Sequence, residues 1–391
     1  MIAGRLRIIV LGYLVRGPLG GMAWHHLQYL LGLKRLGHDV YFVEDSDDYP
    51  SCYDPSRGVT DTDPEYGLRF AADTLARLGL AEIWAYYDAH SQRWLGPCAG
   101  RTSRLFQSTD LVLNVSGVNP LRPWFQNVPI RVLIDTDPLF TQLRHLTEPA
   151  ALEQATRHSH FCSFGENIAR GTSRVPTDGL PWQATRQPVV LDAWPITVGR
   201  PQAPFTTVMQ WDSYSTRNYD GQRYGMKAAS FGPYEDLPRR TSEMLEIALG
   251  SSRAPRSRLA AAGWTIRNPL TIANDPWAYQ RYIQESKAEF SVAKEGYVAS
   301  HCGWFSERST AYLASGRPVV VQDTGFSAWL PTGLGVLAFE TPGAAQEAIR
   351  EVSGDYDRHC KAARAIAEEF FDSRRVLSHL LESICSRQPA G

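Results

Sequence analysis

The chain has 391 residues, of which 43% are hydrophobic and 21% charged, and its formal net charge is -1. This length favours two domains over a single core, and the composition is typical of a soluble globular protein. The near-zero charge gives no indication of a nucleic-acid partner or an anionic membrane surface, and no apolar run approaches the roughly 20 residues of a membrane span.

The cysteines show no metal-binding pattern. The six of them are scattered from Cys52 to Cys385, with no CxxC pair and no Cys/His cluster at metal-ligand spacing. Scattered thiols are typical of a reducing compartment. The basic and apolar amino terminus leads straight into a glycine loop and a helix pattern, so we interpret it as a buried strand and not as a signal peptide. We therefore expect a cytoplasmic protein without a transmembrane segment or a metal site.

The first half of the chain alternates strand and helix patterns. The continuous apolar run at 7–15 predicts a parallel strand buried on both faces, and a loop with Gly20 and Gly21 follows it. Leucines at helical spacing then predict a helix that ends at Gly37, and 38–43 predicts a second strand before an acidic cluster. This βαβ unit is typical of nucleotide-binding folds, but it lacks the G-x-G-x-x-G fingerprint, which argues against NAD or FAD as a cofactor.

Further patterns complete an α/β domain at 1–190. They predict a helix at 65–80 and strands at 110–115, 130–134 and 160–163. The proline-rich stretch at 172–204 has little periodicity and predicts the connection between the domains.

A second α/β domain is predicted at 205–372. Its first strand begins at Thr206, and an irregular stretch follows at 212–232. Helices are predicted at 237–249, 277–286, 344–352 and 359–371. The last segment, 373–391, contains a final helix that could pack back on the first domain.

The stretch from Ser291 to Gly335 has the features expected of a ligand site. It predicts a strand, a Gly-Trp-Phe loop, a helix at 306–315 and a second strand at 318–321. Loops at the carboxyl ends of parallel strands face the ligand crevice in doubly wound sheets. The side chains at these positions are those of Lys294, Glu295, Arg308, Ser309, Asp323, Thr324 and Gly325.

Two motifs resemble glycosyltransferases of the GT-B architecture. The spacing of Gly20-Gly21, His25 and Gly37-His38-x-Val40 is similar to the glycine loop and first helix of family-four glycosyltransferases. The segment RSTAYLASGRPVV, 308–320, resembles the R-x-x-E-A-M-A-x-G-x-P-V segment of their spore-maturation-type relatives. The resemblance implies two facing Rossmann-like, doubly wound domains with the active site in the cleft between them.

The chain departs from the family pattern at one important position. The glutamate that holds the donor ribose in these transferases falls on Ala311. Glu307, about one helical turn earlier, or Glu295, after the preceding strand, could replace it. The first acid of the paired-glutamate motif of retaining enzymes falls near Gly303, so that pair is also absent.

The family resemblance implies a nucleotide-diphosphate leaving group, which cations and helix amino termini can stabilise without a metal. We interpret Arg308 and Ser309 as diphosphate ligands and Lys294 as a second cation. The alternatives are a surface Arg308 paired with Glu307 and a salt bridge between Lys294 and Glu295.

The glycine-containing loops are further candidates for donor binding. Asp323, Thr324 and Gly325 could bind sugar hydroxyls, or Asp323 could simply cap the next short helix. Gly20 and Gly21 could offer backbone amides to the diphosphate, or form a plain tight turn.

An inverting transferase needs a catalytic base for the acceptor hydroxyl, and histidine suits that task near neutral pH. His25 lies at the position matched by the family, where retaining relatives use it to position the sugar. Asp135 and Asp137, at a strand end of the same domain, are competing candidates. Each of the three could instead be a structural polar group.

The leading hypothesis is a metal-independent transfer of a sugar from a nucleotide-diphosphate donor to an unidentified acceptor. Two alternatives stay open: a GT-B-fold nucleotide-sugar epimerase, and a non-catalytic protein that binds a nucleotide sugar. Neither nucleic acid nor a separate cofactor is expected.

Overall fold

The computed structural model describes residues 4–386, which form two large parallel sheets, two short hairpins and fifteen α-helices. The strands are β1 (Arg7–Leu11), β2 (Asp39–Asp45), β3 (Cys52–Asp54), β4 (Val59–Asp61), β5 (Trp84–Asp88), β6 (Arg93–Leu95), β7 (Leu111–Val115), β8 (Ile130–Asp135), β9 (His160–Ser163), β10 (Gln183–Ala184), β11 (Phe205–Gln210), β12 (Arg217–Tyr219), β13 (Gln222–Tyr224), β14 (Leu245–Gly250), β15 (Thr265–Arg267), β16 (Ala288–Ser291), β17 (Val319–Gln322) and β18 (Val336–Phe339). The helices are α1 (Gly20–Arg35), α2 (Glu65–Arg77), α3 (Thr102–Gln107), α4 (Phe140–Thr147), α5 (Pro149–Thr156), α6 (Glu166–Ala169), α7 (Lys227–Phe231), α8 (Arg256–Ala261), α9 (Leu270–Ala273), α10 (Pro276–Glu285), α11 (Glu295–Ser300), α12 (Glu307–Ala314), α13 (Pro342–Gly354), α14 (Tyr356–Ile366) and α15 (Ser373–Cys385).

The front half of the chain forms an eight-stranded sheet in the order β10-β9-β8-β7-β1-β2-β5-β6. Neighbouring strands run parallel except for the β5–β6 pair at one edge. The order reverses between β7 and β1, and the carboxyl ends of strands open a ligand crevice at such a reversal. β1 lies at the centre of the sheet, and its burial on both faces explains its continuously apolar sequence.

β1 is shorter than the apolar run at 7–15 predicts, because the strand ends at Leu11. The Glu44 carboxylate accepts hydrogen bonds of 2.6 to 2.8 Å from the backbone amides of residues 14–16. These bonds hold the chain in a loop, while the side chains of Leu14 and Val15 stay buried. Burial without strand pairing therefore explains the rest of the apolar run.

The rear half forms a six-stranded sheet in the order β15-β14-β11-β16-β17-β18, with all strands parallel. Its order reverses between β11 and β16, so a second crevice opens there. The helix predicted at 306–315 is α12, and the Ser306 hydroxyl caps it by accepting a 3.2 Å hydrogen bond from the Arg308 amide. The doubly wound α/β class predicted for both halves is confirmed.

The helix predicted at 237–249 is wrong. The structure has a 3₁₀ turn at Leu237–Arg240 and then strand β14, which lies between β11 and β15. Leu245, Ile247 and Leu249 alternate along β14, a period of two that is typical of strands, and the whole strand is buried. The stretch 212–232, predicted as irregular, also contains the β12–β13 hairpin and helix α7.

The two sheets face each other through their carboxyl ends. Asp137 follows β8 and Lys294 closely follows β16, and these side chains form an ion pair of 2.8 Å between the halves. Elsewhere in the interface, Nε1 of Trp24 in α1 donates to the carbonyl of Pro276 in α10 at 2.7 Å. The space between the sheets is therefore a cleft with walls from both halves.

The final helix, α15, packs against α1 of the front half, where a Cβ added to Gly32 would lie 2.5 Å from Leu377. The division into 1–190, 205–372 and 373–391 stays a prediction, and residues 387–391 lie outside the described range. Within residues 4–386, no helix combines the length and hydrophobicity needed to cross a membrane.

Candidate active site

Side chains from both halves line a pocket of about 340 Å³ that is partly open to solvent, and we call it the cleft pocket. Gly21 and His25 contribute to it from the front half, and Glu307 and Arg308 contribute from the rear half. The rest of its wall is formed by Trp24, Gln28, Gln187, Pro188, Trp194, Tyr279, Thr310 and Ala311. Candidates from two segments that are far apart in the sequence thus line the same pocket.

A second pocket, of about 260 Å³, lies at the carboxyl ends of β16 and β17, and rear-half residues alone line it. Ser309 and Thr324 contribute to this pocket, and Arg308 lines both pockets. The amino terminus of α12 therefore lies between the two pockets, where its free backbone amides could meet an anion.

Arg308 is buried and bound to its own domain. Its Nε donates to Glu289 at 2.7 Å, Nη2 donates to Ser291 at 2.8 Å, and Nη1 donates to the carbonyl of Val208 at 3.0 Å. Burial acts to lower the pKa of the guanidinium, but Glu289, Tyr279 and Glu307 together outweigh it and the pKa is raised. Arg308 is thus neither on the surface nor paired with Glu307, and its first role is to tie α12 to the sheet.

Lys227 is a cation that interacts electrostatically with Arg308 and Glu307 of the cleft pocket, and the sequence analysis did not select it. It is the first residue of α7, and its Nζ forms no hydrogen bond or ion pair with any residue of the range 4–386. Burial, and then the charge of Arg308, lower its pKa to about 7. The helix-starting position after β11, at the reversal of the rear sheet, is the signal that could have found it.

Lys294 is enclosed by a cluster that joins the two halves. Its Nζ donates to Asp137 and to the Tyr214 hydroxyl, each at 2.8 Å, and lies 4.5 to 5.1 Å from the ring centres of Tyr214, Phe140 and Tyr297. Tyr214 and Tyr297 also donate their hydroxyls to Asp137. We call Asp137, Lys294, Tyr214 and Tyr297 the clasp; in this arrangement Lys294 is committed to Asp137 and not to Glu295.

Glu295 has a different partner, because its Oε2 accepts a hydrogen bond from the Gly225 amide. It does not line either pocket described above. The structure therefore gives Glu295 a role in holding the segment before α7, and no contact with the cleft pocket.

Asp135 is a buried structural carboxylate in this structure. It accepts hydrogen bonds from Thr141 at 2.6 Å, Ser163 at 2.7 Å and Gln142 at 3.0 Å, and also from the Asp137 amide. Burial raises its pKa, and these hydrogen bonds act in the opposite direction. Its oxygens are occupied by the start of α4, so the structural alternative fits it better than a role as base.

The loop after β17 binds Asp323 and Thr324 within the rear half. Asp323 accepts a 2.8 Å hydrogen bond from the Gly325 amide and a further one from the Ser327 hydroxyl, while Thr324 donates its hydroxyl to the Trp304 carbonyl. Gly325 has φ 90°, which favours glycine. A Cβ there would also lie 2.7 Å from Asn167 Nδ2, so the close approach is to the front half.

Gly20 and Gly21 begin α1 and pack against α10. A Cβ on Gly20 would lie 2.7 Å from the Asp275 carbonyl oxygen, and one on Gly21 would lie 3.3 Å from the Tyr279 ring. The first two residues of the helix therefore need to be small for the two halves to meet here. Gly21 lies at the cleft pocket as well.

His25 projects from α1 into the cleft pocket, and His26 beside it is fully buried against Tyr13. His25 Nε2 lies 3.5 Å from the hydroxyl of Ser116, which in turn contacts the Thr136 hydroxyl at 2.8 Å. Burial lowers the pKa of His25, with Glu307 acting in the opposite direction, so a neutral imidazole faces the pocket near neutral pH.

Glu307 starts α12 and faces the same pocket. Its carboxylate forms no hydrogen bond or ion pair with any described side chain or backbone group. Ala311, one turn further along, leaves space beside it. Of the two proposed replacements for the missing glutamate, only Glu307 is at the cleft pocket.

No protein-family model and no curated protein matches this chain. Solved structures are similar over nearly the full length. The Anabaena protein Alr3699/HepE, solved in complex with UDP and glucose, is 12% identical with a TM-score of 0.58, covering 98% of this chain and 100% of that one. AviGT4, a glycosyltransferase involved in avilamycin A biosynthesis, is 13% identical with a TM-score of 0.55 and 97% coverage of each chain.

An alpha-glucosyltransferase called AGT, solved in complex with UDP, is 12% identical with a TM-score of 0.56 and covers 97% of this chain and 100% of its own. At such identities the likeness establishes the fold alone. The predicted GT-B architecture, two doubly wound domains that face each other across a cleft, is confirmed.

Proposed function

We propose that the chain is a glycosyltransferase that moves a sugar from a nucleotide-diphosphate donor to an acceptor hydroxyl. The observation that carries the proposal is the cleft pocket where the carboxyl ends of two doubly wound sheets meet, lined by His25 from the front half and by Glu307 and Arg308 from the rear half. Lys227 interacts electrostatically with Arg308 and Glu307 and makes no hydrogen bond or ion pair within residues 4–386, so it adds a cation for an anionic ligand. The complexes of Alr3699/HepE with UDP and glucose, and with UDP-glucose, support a uridine diphosphate sugar as the first donor to test.

The chemistry requires charge stabilisation on the leaving diphosphate as the bond to the sugar breaks. Lys227 can meet this charge directly, and the free amides at the amino terminus of α12 can meet it from the neighbouring helix. Arg308 keeps further N–H groups beyond the three bonds to its own domain and adds a positive potential. Preorganised donors of this kind are the main source of transition-state stabilisation in dry sites.

The acceptor hydroxyl must lose its proton during the transfer. The neutral imidazole of His25 lines the cleft pocket and can accept it, whereas Asp135 and Asp137 are occupied by donors of the protein itself. If the reaction retains configuration, the same nitrogen can instead hold a sugar hydroxyl. His25 is therefore proposed as a site residue in either case.

Two assays test the proposal. A thermal-shift screen with UDP, GDP, dTDP and ADP identifies the base, because a ligand that prefers the folded state raises the melting temperature. Incubation with the matching nucleotide sugar then distinguishes the three hypotheses. Slow release of nucleoside diphosphate and free sugar supports a transferase, interconversion of the sugar indicates an epimerase, and binding without turnover indicates a non-catalytic protein.

A further inference from the structure

The carboxylates around the cleft differ in whether they have a hydrogen-bond or ion-pair partner within the protein. Glu44 accepts three backbone amides, Asp135 accepts hydroxyl and amide groups, and Asp137 belongs to the clasp. The rear-half acids follow the same rule: Glu289 binds Arg308, Glu295 binds the Gly225 amide, and Asp323 binds Gly325 and Ser327. Among these described carboxylates, only Glu307 has no donor.

The position of Glu307 in the cleft pocket indicates which part of a bound donor it would contact. Glu307 and His25 line the same cleft pocket, one from each half of the chain. His25 is the residue that the proposed function places at the transferred sugar or at the acceptor hydroxyl, so Glu307 lies at that end of the donor. The part of a donor that can satisfy Glu307 is therefore its hydroxylated sugar.

From these observations we infer that Glu307 selects the transferred sugar by charge: it accepts hydrogen bonds from sugar hydroxyls and excludes sugars that carry a carboxylate. This inference rests on the proposed transferase function. A hydroxyl donates to a carboxylate in a strong, charge-assisted hydrogen bond. A uronic acid would place a second negative charge at the same spot, and like charges in a site screened from water repel strongly.

A structural role for Glu307 also exists and must be separated from this one. An acid in the first turn of a helix interacts favourably with the helix dipole, so any change at Glu307 can lower stability. That effect is the same whichever donor is present. The ratio of the affinities for two donors is therefore the quantity that reports selection.

The test compares UDP-glucose with UDP-glucuronate, which differ by a hydroxymethyl group against a carboxylate, in calorimetric binding and in donor hydrolysis. If the base screen selects guanine, GDP-mannose and GDP-mannuronate replace them. Wild type is expected to favour the neutral sugar at least about tenfold. Glu307→Gln, which keeps size and hydrogen-bonding capacity, should bring the ratio within about threefold. The matched control is Glu340→Gln on the exposed surface of the same half, which should leave the ratio unchanged.

Each result has one meaning. Equal affinity of wild type for both donors, or an unchanged ratio in Glu307→Gln, overturns the inference while leaving the transferase proposal intact. Absence of binding of every nucleotide and nucleotide sugar to wild type refutes the proposed function itself. A narrowed ratio in the variant with unchanged nucleoside diphosphate affinity supports charge selection at the sugar.

Discussion

The front and rear walls of the cleft treat their charged groups in opposite ways. In the front wall, Glu44, Asp135 and Asp137 are all bound by donors of the protein. In the rear wall, Lys227 and Glu307 have no hydrogen-bond or ion-pair partner within the described part of the chain. Both side chains are half-buried, and a charge partly removed from water without a partner is unfavourable. The rear wall is therefore where a ligand can supply the missing interactions.

Glu44 is an example of a front-wall charge whose hydrogen-bond partners all come from the protein itself. The loop after the first strand of a doubly wound sheet often presents its amides to phosphate. Here the amides of residues 14–16 bind the Glu44 carboxylate instead. Burial raises the pKa of Glu44 to about 7, against the lowering effect of these bonds. We therefore assign the front wall to holding the scaffold and His25, and the rear wall to the donor.

The largest expected effect of a substitution concerns the buried pair of Arg308 and Glu289. Arg308→Ala leaves Glu289 buried without its partner, and breaking such a pair costs about 3–5 kcal/mol of unfolding free energy. Urea denaturation measures this loss of unfolding free energy. The double variant Arg308→Met with Glu289→Leu should lose less unfolding free energy than Arg308→Ala, because it leaves no buried charge unpaired. If Arg308→Ala kept full stability and lost only donor binding, Arg308 would belong with the ligand-facing groups.

Breaking the ion pair of the clasp should lower the unfolding free energy by an intermediate amount. Its ion pair is partly exposed, with side-chain exposures of 14% for Lys294 and 32% for Asp137. Lys294→Met should therefore cost about 1–2 kcal/mol, between the values for exposed and buried pairs. A double-mutant cycle with Asp137→Asn should give a coupling energy within about 0.5–3 kcal/mol. Zero coupling would show that the clasp does not join the halves in solution.

A smaller effect is expected at Asp323. Asp323→Ala removes the acceptor for the Gly325 amide and should cost about 1 kcal/mol of stability, as the loss of a cap does. Donor affinity should stay within about twofold of wild type, because Asp323 is satisfied within its own turn. A large loss of donor affinity at unchanged stability would show that Asp323 contacts the donor.

The smallest predicted effect is a dependence of donor binding on pH. The pKa of Lys227 is lowered to about 7, so the lysine is charged below that pH and increasingly neutral above it. A bound diphosphate favours the charged form, and affinity for a nucleotide sugar of constant charge should fall a few-fold between about pH 6 and about pH 9. Lys227→Arg stays charged and should lose this dependence. If donor affinity fell with pH in Lys227→Arg as it does in wild type, a group other than Lys227 would cause the pH dependence.

The sequence predicted the sheets and the position of the cleft well, because both follow from local patterns. Alternating strands and helices with glycine ends fix the doubly wound class, and the strand ends of a parallel sheet share one edge. His25, Glu307 and Arg308, which line the cleft pocket, were selected because they lie next to such ends or in a matched motif. The same rule selected Asp135 and Asp323, which the fold uses for hydrogen bonds of its own.

What the sequence could not provide was the pairing between distant groups. Glu289 and Arg308, or Asp137 and Lys294, are partners only once the fold brings them together. The same holds for Lys227, since nothing in the irregular stretch around it shows that this lysine lacks an acid. The β14 error has a local cause: the period of two runs over only six residues, and a buried strand this short is difficult to separate from a buried helix.

The most direct test of the account is a calorimetric titration of the selected nucleotide sugar into wild type, Lys227→Met and the matched surface variant Lys361→Met. The account predicts that Lys227→Met binds at least about tenfold more weakly, which corresponds to about 1.4 kcal/mol. The stability of this variant should be equal to or higher than that of wild type, and Lys361→Met should bind as wild type does. Wild-type affinity in Lys227→Met would contradict the assignment of the rear wall to the donor.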